Sequence, residues 1–346
     1  IGVIGAGNYA SSMLLPHLKA RSDVDLVEVA TTTAASAANA RRRFDFGRMS
    51  TDSAGLIAAI DVDLIVIATR HSSHADLTAA ALRAGKAVFV EKPLALNEAE
   101  LVRLEEAIAA SGNDRVMVGF NRRYAPMLQK LRKAWGANRD GETLSYRVNA
   151  GGLGATSWYG DREKEGTRFA GEGGHFIDTA SWWFGRDPID VTARRVGSDV
   201  DNLIVTLTYP NGAATISYLT EGDPRFPKER LEVFGGGRVE NLDNFRRGEI
   251  WGAARKVFQP VFFQRFEVIL ADLQRARNGR QIVAQPQPRG AQVLPHRAQR
   301  RIAVAGNLAQ VQAAFVASGT IVHRETRHFR HGPAIAASRR HFQRRE

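Results

Sequence analysis

The sequence predicts a two-domain fold: an N-terminal α/β unit with a parallel sheet, then an α+β unit with an open, mostly antiparallel sheet. Three observations carry this. Residues 1–120 alternate short apolar runs with helical periodicity, the pattern of successive βαβ units. After Phe120 the chain turns to strands of alternating character, two of them joined by the hairpin signal Pro210-Asn211-Gly212. At 346 residues it is long enough for two cores of ordinary size.

In the first unit, strands are predicted at 1–4, 26–31, 64–68, 87–90 and 116–120 from their apolar runs. Helices are predicted at 9–20, 34–44 and 73–84, with a further one opened by the capping pair Asn97 and Glu100 and stopped by Gly112. In the second unit a basic amphipathic helix at 124–135 leads to a strand at 143–148. A glycine-rich loop then precedes a short helix at 175–184, stopped by Gly185. Strands follow at 191–196, 203–208, 213–219, 231–234 and 237–240. The domains expected are thus 1–120 and 121–256, with 257–346 as a separate stretch.

That last stretch stands apart in composition. The whole chain carries a formal charge of +12, yet 251–346 holds 17 Lys and Arg against 4 Asp and Glu, leaving 31 basic and 32 acidic residues in 1–250. Of the 12 glutamines only Gln129 precedes residue 251. A basic tail can bind polyanions, but its segments 287–290, 295–297 and 339–345 show no strand or helix period and lack the aromatic interleaving expected of a nucleic-acid platform. It reads as a poorly ordered or foreign tail, and no nucleic-acid partner is expected.

The chain has no cysteine, which removes disulfides and thiolate metal sites, and no metal site is expected. It has no apolar run of bilayer length and no secretory leader, so a cytoplasmic protein without a membrane partner is expected. It opens inside its first strand without a Met, which leads to the expectation of residues upstream.

Gly5-Ala6-Gly7-Asn8-Tyr9-Ala10 is a G-x-G-x-x-A turn between a strand and a helix. Gly5 permits the tight turn, Gly7 lets backbone approach a pyrophosphate, and Ala10 keeps helix and strand close. The helix N-terminus adds partial positive charge. A dinucleotide-binding (Rossmann) domain follows, with Asn8 and Tyr9 in the contact set. The second strand ends in Thr31-Thr32-Thr33 where NAD enzymes usually carry an acid for the ribose. Arg41, Arg42 and Arg43 are open to two readings, a 2′-phosphate contact or a solvated helix end, so the cofactor is NAD or NADP.

Thr69-Arg70-His71 and His74 follow a parallel strand at its carboxyl end, where open α/β sheets bind ligands. His71 and His74 could touch cofactor or substrate, although His74 serves equally as a cap or packing residue. Glu91-Lys92-Pro93 ends the next buried strand. A lysine there can be tuned by desolvation to polarise or protonate a reacting oxygen. The same pattern equally fits a surface lysine paired with Glu91. In Gly171-Glu172-Gly173-Gly174-His175-Phe176-Ile177-Asp178, His175 and Asp178 share one helix face. Imidazole suits proton transfer from an alcohol near neutral pH, but a histidine at a helix start is more often structural, so its weight depends on Lys92. Together these features read as a nicotinamide-dependent oxidoreductase.

The set Gly5/Gly7, Glu91-Lys92-Pro93 and His175-x-x-Asp178 resembles the Gfo/Idh/MocA oxidoreductases, the family of glucose–fructose oxidoreductase and inositol dehydrogenase. The stretches Ala68-Thr69-Arg70-His71, Gly119-Phe120-Asn121-Arg122-Arg123-Tyr124 and 171–178 are similar to a bacterial subgroup in which this unit follows a zinc alcohol-dehydrogenase-like half. The resemblance runs from Ile1 to about Lys256. It implies hydride transfer between nicotinamide and a ring carbon of a sugar, cyclitol or sugar nucleotide, and a homo-oligomer. It implies Lys92 and His175 as catalytic residues, with Lys92–Pro93 a cis bond. Asp178, Glu172, Arg122, Arg123 and Tyr124 would face the substrate. The family often carries Asp four residues before the histidine. That position is Gly171 here, with Glu172 one residue later. Arg162 and Arg168, with Arg122 and Arg123, would suit an anionic substrate. The alternative is a dinucleotide-binding module without catalysis.

Overall fold

A computed structural model describes residues 1–137, 140–154, 157–252, 256–258 and 324–325. The expected basic tail at 257–346 lies outside the described residues, apart from 257–258 and 324–325.

The first sheet comprises β1 (Gly2–Ile4), β2 (Glu28–Ala30), β3 (Arg48–Ser50), β4 (Leu64–Ile67), β5 (Ala87–Val90) and β6 (Val116–Val118). All pairs are parallel, in the order β3-β2-β1-β4-β5-β6. This is the doubly wound dinucleotide-binding order, and its direction reverses between β1 and β4. Val3, Ile65, Ile67, Val88 and Val90 are almost fully buried, as expected of strands covered on both faces.

Helices α2 (Ala34–Phe44), α3 (Ser53–Ala58), α4 (His74–Arg83) and α5 (Glu98–Ser111) fill the connections. Thr33, Asp52 and Asn97 cap α2, α3 and α5, each accepting from a first-turn amide. Glu100 reaches back to the Leu96 amide at 2.7 Å, completing the expected capping pair, and Gly112 closes α5 at φ +64°. The first helix departs from expectation. It opens as a wide π-type turn over Ala10–Leu14 and becomes regular only in α1 (Leu15–Lys19). Pro16 has no amide to donate to residue 12, and the chain widens ahead of it. β3 and α3 were not predicted. Arg48-Met49-Ser50 is a three-residue edge strand with no apolar run to reveal it.

The second unit contains α6 (Pro126–Trp135), α7 (Arg162–Glu165), α8 (Arg168–Phe184), β7 (Glu142–Asn149), β8 (Asp190–Arg195), β9 (Leu203–Tyr209), β10 (Gly212–Leu219), β11 (Glu229–Gly235), β12 (Arg238–Asp243), β13 (Arg247–Trp251), β14 (Lys256–Phe258) and β15 (Arg324–Glu325). Among the described residues its sheet runs β14-β13-β12-β11-β7-β10-β9-β8-β15. The pairing is antiparallel except between β7 and β10, which run parallel at its centre. One face, with Leu144, Tyr146, Val205, Ile216 and Val233 essentially inaccessible, packs on α6 and α8. No described helix is long and apolar enough to cross a membrane.

The helix predicted at 175–184 is corrected to Arg168–Phe184, beginning two turns earlier. Its glycines looked like a loop, but Thr167 caps the helix by accepting from the Ala170 amide, and the glycines lie within it. A Cβ on Gly173 would fall 2.6 Å from the Phe169 ring. Glycine is therefore what lets that ring fold along the helix.

Candidate active site

The Gly5–Gly7 turn sits at the switch point between β1 and β4. Gly5 holds φ +93°, and a Cβ there would lie 2.5 Å from the Ala68 carbonyl oxygen, so no side chain fits. Gly7 is exposed, and a Cβ on it would meet nothing within 4 Å. Its backbone is thus open to the close approach of a phosphate, at the start of a helix whose amides point the same way. These features fit a dinucleotide. Thr31 spends its hydroxyl on the Thr33 carbonyl (2.8 Å), while Thr33 caps α2; Thr32 stays exposed. Arg41–Arg43 occupy the last turn of α2, roughly 12 Å along the axis from its cap. Arg43 rests over the Phe44 ring and Arg41 donates to the Phe46 carbonyl. Of the two readings left open for them, the structure favours a helix end.

Lys92 emerges from β5, one strand beyond the switch, and its bond to Pro93 is cis. Glu91 beside it is buried, with Gly119 of the neighbouring strand end leaving it room: a Cβ there would sit 2.8 Å from Glu91 Oε1. Burial pushes the Glu91 carboxyl up to about 7, opposed chiefly by the Lys92 charge. Tyr9, from the glycine turn, lies close enough to Glu91 and Asn121 for both to act on its hydroxyl, which burial pushes above its usual range. Asn121 entered the sequence reading only as part of the stretch 119–124, and it is the fold that brings it to Tyr9. The Lys92 ammonium is itself held below the usual lysine range by burial, and the charges of Glu91 and Glu172 oppose that. Lys92 itself is half-buried and its neighbour Glu91 buried, an arrangement unlike an exposed surface pair.

Glu172 and His175 lie one turn apart on α8. His175 is buried, and its ring meets Phe120 edge-on at 6.0 Å between centroids. Phe120 follows β6 as Lys92 follows β5, and Val90 pairs with Val118, so the two strand ends stand side by side. With Glu172 electrostatically coupled to Lys92, the structure brings Lys92, Glu172 and His175 to the carboxyl edge of the parallel sheet. Lys228 donates to Glu172 Oε2 at 3.1 Å, and Arg168 Nε to Oε1 at 3.4 Å. These cations hold the Glu172 carboxyl below its usual range against the opposing effect of burial.

Asp178 is placed differently. It is buried, and Arg123 grips both its carboxylate oxygens, with Nε to Oδ2 at 2.6 Å. Its carboxylate is thus engaged in an internal ion pair. Arg122 likewise makes a two-pronged bond to Glu229 (2.9 and 2.7 Å), which also accepts from the Tyr146 hydroxyl at 2.6 Å. Arg168 donates to the carbonyls of Ala150 and Gly151 as well, and Arg162 lies 3.5 Å from Asp199 and Asp201. All four arginines thus face carboxylates. Tyr124 packs partly buried against the first domain's core.

His74 is buried, with Nδ1 2.7 Å from the Pro93 carbonyl and Nε2 3.3 Å from that of Thr69. It braces the Lys92 loop, in keeping with the packing role left open for it. His71 is buried against Glu165 of α7, and burial pushes its imidazole down to about 3. Thr69 bonds Ser73 at 2.7 Å, and Arg70 stacks over Trp158 at 4.4 Å. Trp158, Glu165, Lys228 and Glu229 escaped the sequence reading because their partners lie far away in the chain. Among the described residues no cluster of His, Cys, Asp and Glu could hold a metal ion.

Comparisons agree with this architecture. Residues 1–120 match the profile of an oxidoreductase family's NAD-binding Rossmann fold, and 139–235 match that family's C-terminal alpha/beta domain. The chain is similar to Inositol 2-dehydrogenase of Rhizobium meliloti, 31% identical over 257 residues, covering 71% of the chain and 76% of the relative. Against Inositol 2-dehydrogenase 2 of Saccharopolyspora erythraea it is 32% identical over 196 residues, spanning 56% of each. The chain thus spans little more than half the length of that relative. An oxidoreductase domain protein from Kribbella flavida superposes with a TM-score of 0.75 at 21% identity, over 93% of this chain and 98% of the other.

Proposed function

Since this chain belongs to the Gfo/Idh/MocA oxidoreductase family, we propose that it oxidises a ring hydroxyl of an uncharged cyclitol or sugar, using NAD or NADP. The observation that supports this best is that Lys92 and Glu172, one turn from the buried His175, act on each other at the carboxyl edge of the sheet that also carries the open Gly7 turn. The bound nicotinamide would supply the hydride acceptor. Gly5, Gly7, Asn8 and Ala10 would hold its pyrophosphate, and Thr32, Thr69 and Arg70 its riboses. Tyr9, Glu91 and Pro93 would shape the floor beneath it.

Lys92 would hold the reacting oxygen and stabilise its developing negative charge. His175 would take the hydroxyl proton onto its imidazole as the C–H hydride leaves, so one carbon is oxidised by two electrons and one proton is released. Glu172 would orient a neighbouring hydroxyl. Arg122 and Arg123 are each gripped by a carboxylate of their own, so neither is free for a phosphate. This favours an uncharged polyol, consistent with the inositol dehydrogenases among the relatives.

Purified protein should reduce NAD or NADP with myo-inositol or a neutral sugar and leave a UDP-sugar unused. Lys92→Ala should cut turnover by roughly 100-fold or more while retaining cofactor binding by calorimetry. Equal turnover by the variant would turn the reading toward a module that only binds the dinucleotide.

A further inference from the structure

Glu172 stands between two lysines. Lys228, just ahead of β11, donates to its Oε2 at 3.1 Å, with a side chain 43% exposed at the outer end of the pair. On the inner side Glu172 faces Lys92, whose proton the oxidoreductase reading requires to be correctly poised. Arg168 fixes the other oxygen and is itself anchored on two backbone carbonyls at 2.6 Å, so the carboxylate has little freedom to swing toward either lysine. Two ammonium groups therefore draw on one fixed negative charge.

We propose that Lys228 is a positioning residue of this active site: by claiming Glu172, it limits the charge left for Lys92 and so makes Lys92 give up its proton more readily. The groups facing Lys92 are Glu91 on its own strand end, Glu172 on α8, Arg122 after β6, Lys228 itself, and the buried imidazoles of His71 and His74. Those facing Glu172 are Lys228, Arg168, Lys92 and Arg122. Removing the Lys228 charge acts twice in one direction. It frees Glu172 to favour the Lys92 ammonium, and it removes a like charge that disfavours it. The idea rests on Lys92 as the oxygen-holding group, but its proton affinity can be read without turnover.

The test is competitive labelling of the intact chain with acetic anhydride across pH, with the Lys92 peptide followed by mass spectrometry. Lys228→Met should raise the pH of half-labelling by roughly one unit, about a tenfold drop in free amine at fixed pH. Lys228→Arg should stay near wild type. Glu172→Gln should move half-labelling the other way. An unshifted Lys228→Met profile, or Lys228→Arg shifting as far as Met, overturns the proposal. The pH profile of nicotinamide reduction with myo-inositol should show the same displacement. If the wild type reduces no cofactor at any pH, the oxidoreductase reading fails, and the labelling shift still decides the role of Lys228.

Discussion

Glu91 and Lys92 show how much one buried strand end can impose on two neighbouring side chains. Burial raises the Glu91 carboxyl from 4.5 to about 7. A group whose folded value is raised contributes stability that is complete below its unfolded value and lost as pH climbs through the folded one. Glu91 therefore costs the fold stability between about pH 4.5 and 7, up to roughly 3 kcal/mol. Glu91→Gln should melt close to wild type at pH 4.5 and higher than wild type at pH 8. A thermal-unfolding series across that window measures it, and a constant difference would contradict the assignment. The sequence displayed this pair plainly, because an apolar strand running into Glu-Lys-Pro is local information. It could not display Arg123–Asp178 or Arg122–Glu229, whose members are 55 and 107 residues apart. Arg122 and Arg123, which looked available for an anion, are neutralised by partners only the fold reveals.

α8 carries the Glu172–His175 turn, and its beginning was the largest element-level error of the sequence reading. Glycines at 171, 173 and 174 each weaken a helix by about 1 kcal/mol relative to alanine, so the segment has little helical tendency of its own. Burial along most of its length and the Thr167 cap compensate. Thr167→Ala should cost about 1 kcal/mol of stability, measured by urea unfolding. Because the cap lies eight residues before His175, it should also lower turnover more than it weakens cofactor binding. Elements with strong local signals were legible: α2 was predicted with its observed bounds, and α5 from Asn97 and Gly112. The short strands β3, β13 and β14 were missed, because at three to five residues their pairing is decided by neighbours.

The two sheets are joined by polar contacts as well as by chain. Glu165 on α7 meets Ser72 through both amide and hydroxyl, while its carbonyl faces His71 Nδ1 at 3.1 Å. On the other side Arg122 reaches Glu229. Burial holds His71 neutral, its imidazole pushed down to about 3 from 6.5. A depressed histidine contributes stability present above its unfolded value and lost as pH falls toward the folded one. The contact at α7 should therefore weaken on acidification from about pH 6.5 toward 3. Limited proteolysis between pH 7 and 4 should show cleavage between the domains rising at the acid end, and His71→Asn should flatten that dependence. The two-domain plan itself was legible from the change of texture after Phe120. The contacts that set one domain against the other were not, since each pairs residues about 90 to 110 positions apart.

The parallel partnership of β7 and β10 has a consequence for how the chain is made. Both neighbours of β7 are synthesised after it, β10 beginning about 60 residues later and β11 later still. At translation rates of roughly 5–20 residues per second, the central strand of that sheet waits about 3 to 12 s without a partner. The dinucleotide-binding half, complete by β6, can collapse on the ribosome in the meantime. During synthesis, then, the unpaired edges of β7 form a transient adhesive surface beside an already folded neighbour, and that interval is when a nascent-chain chaperone would matter most.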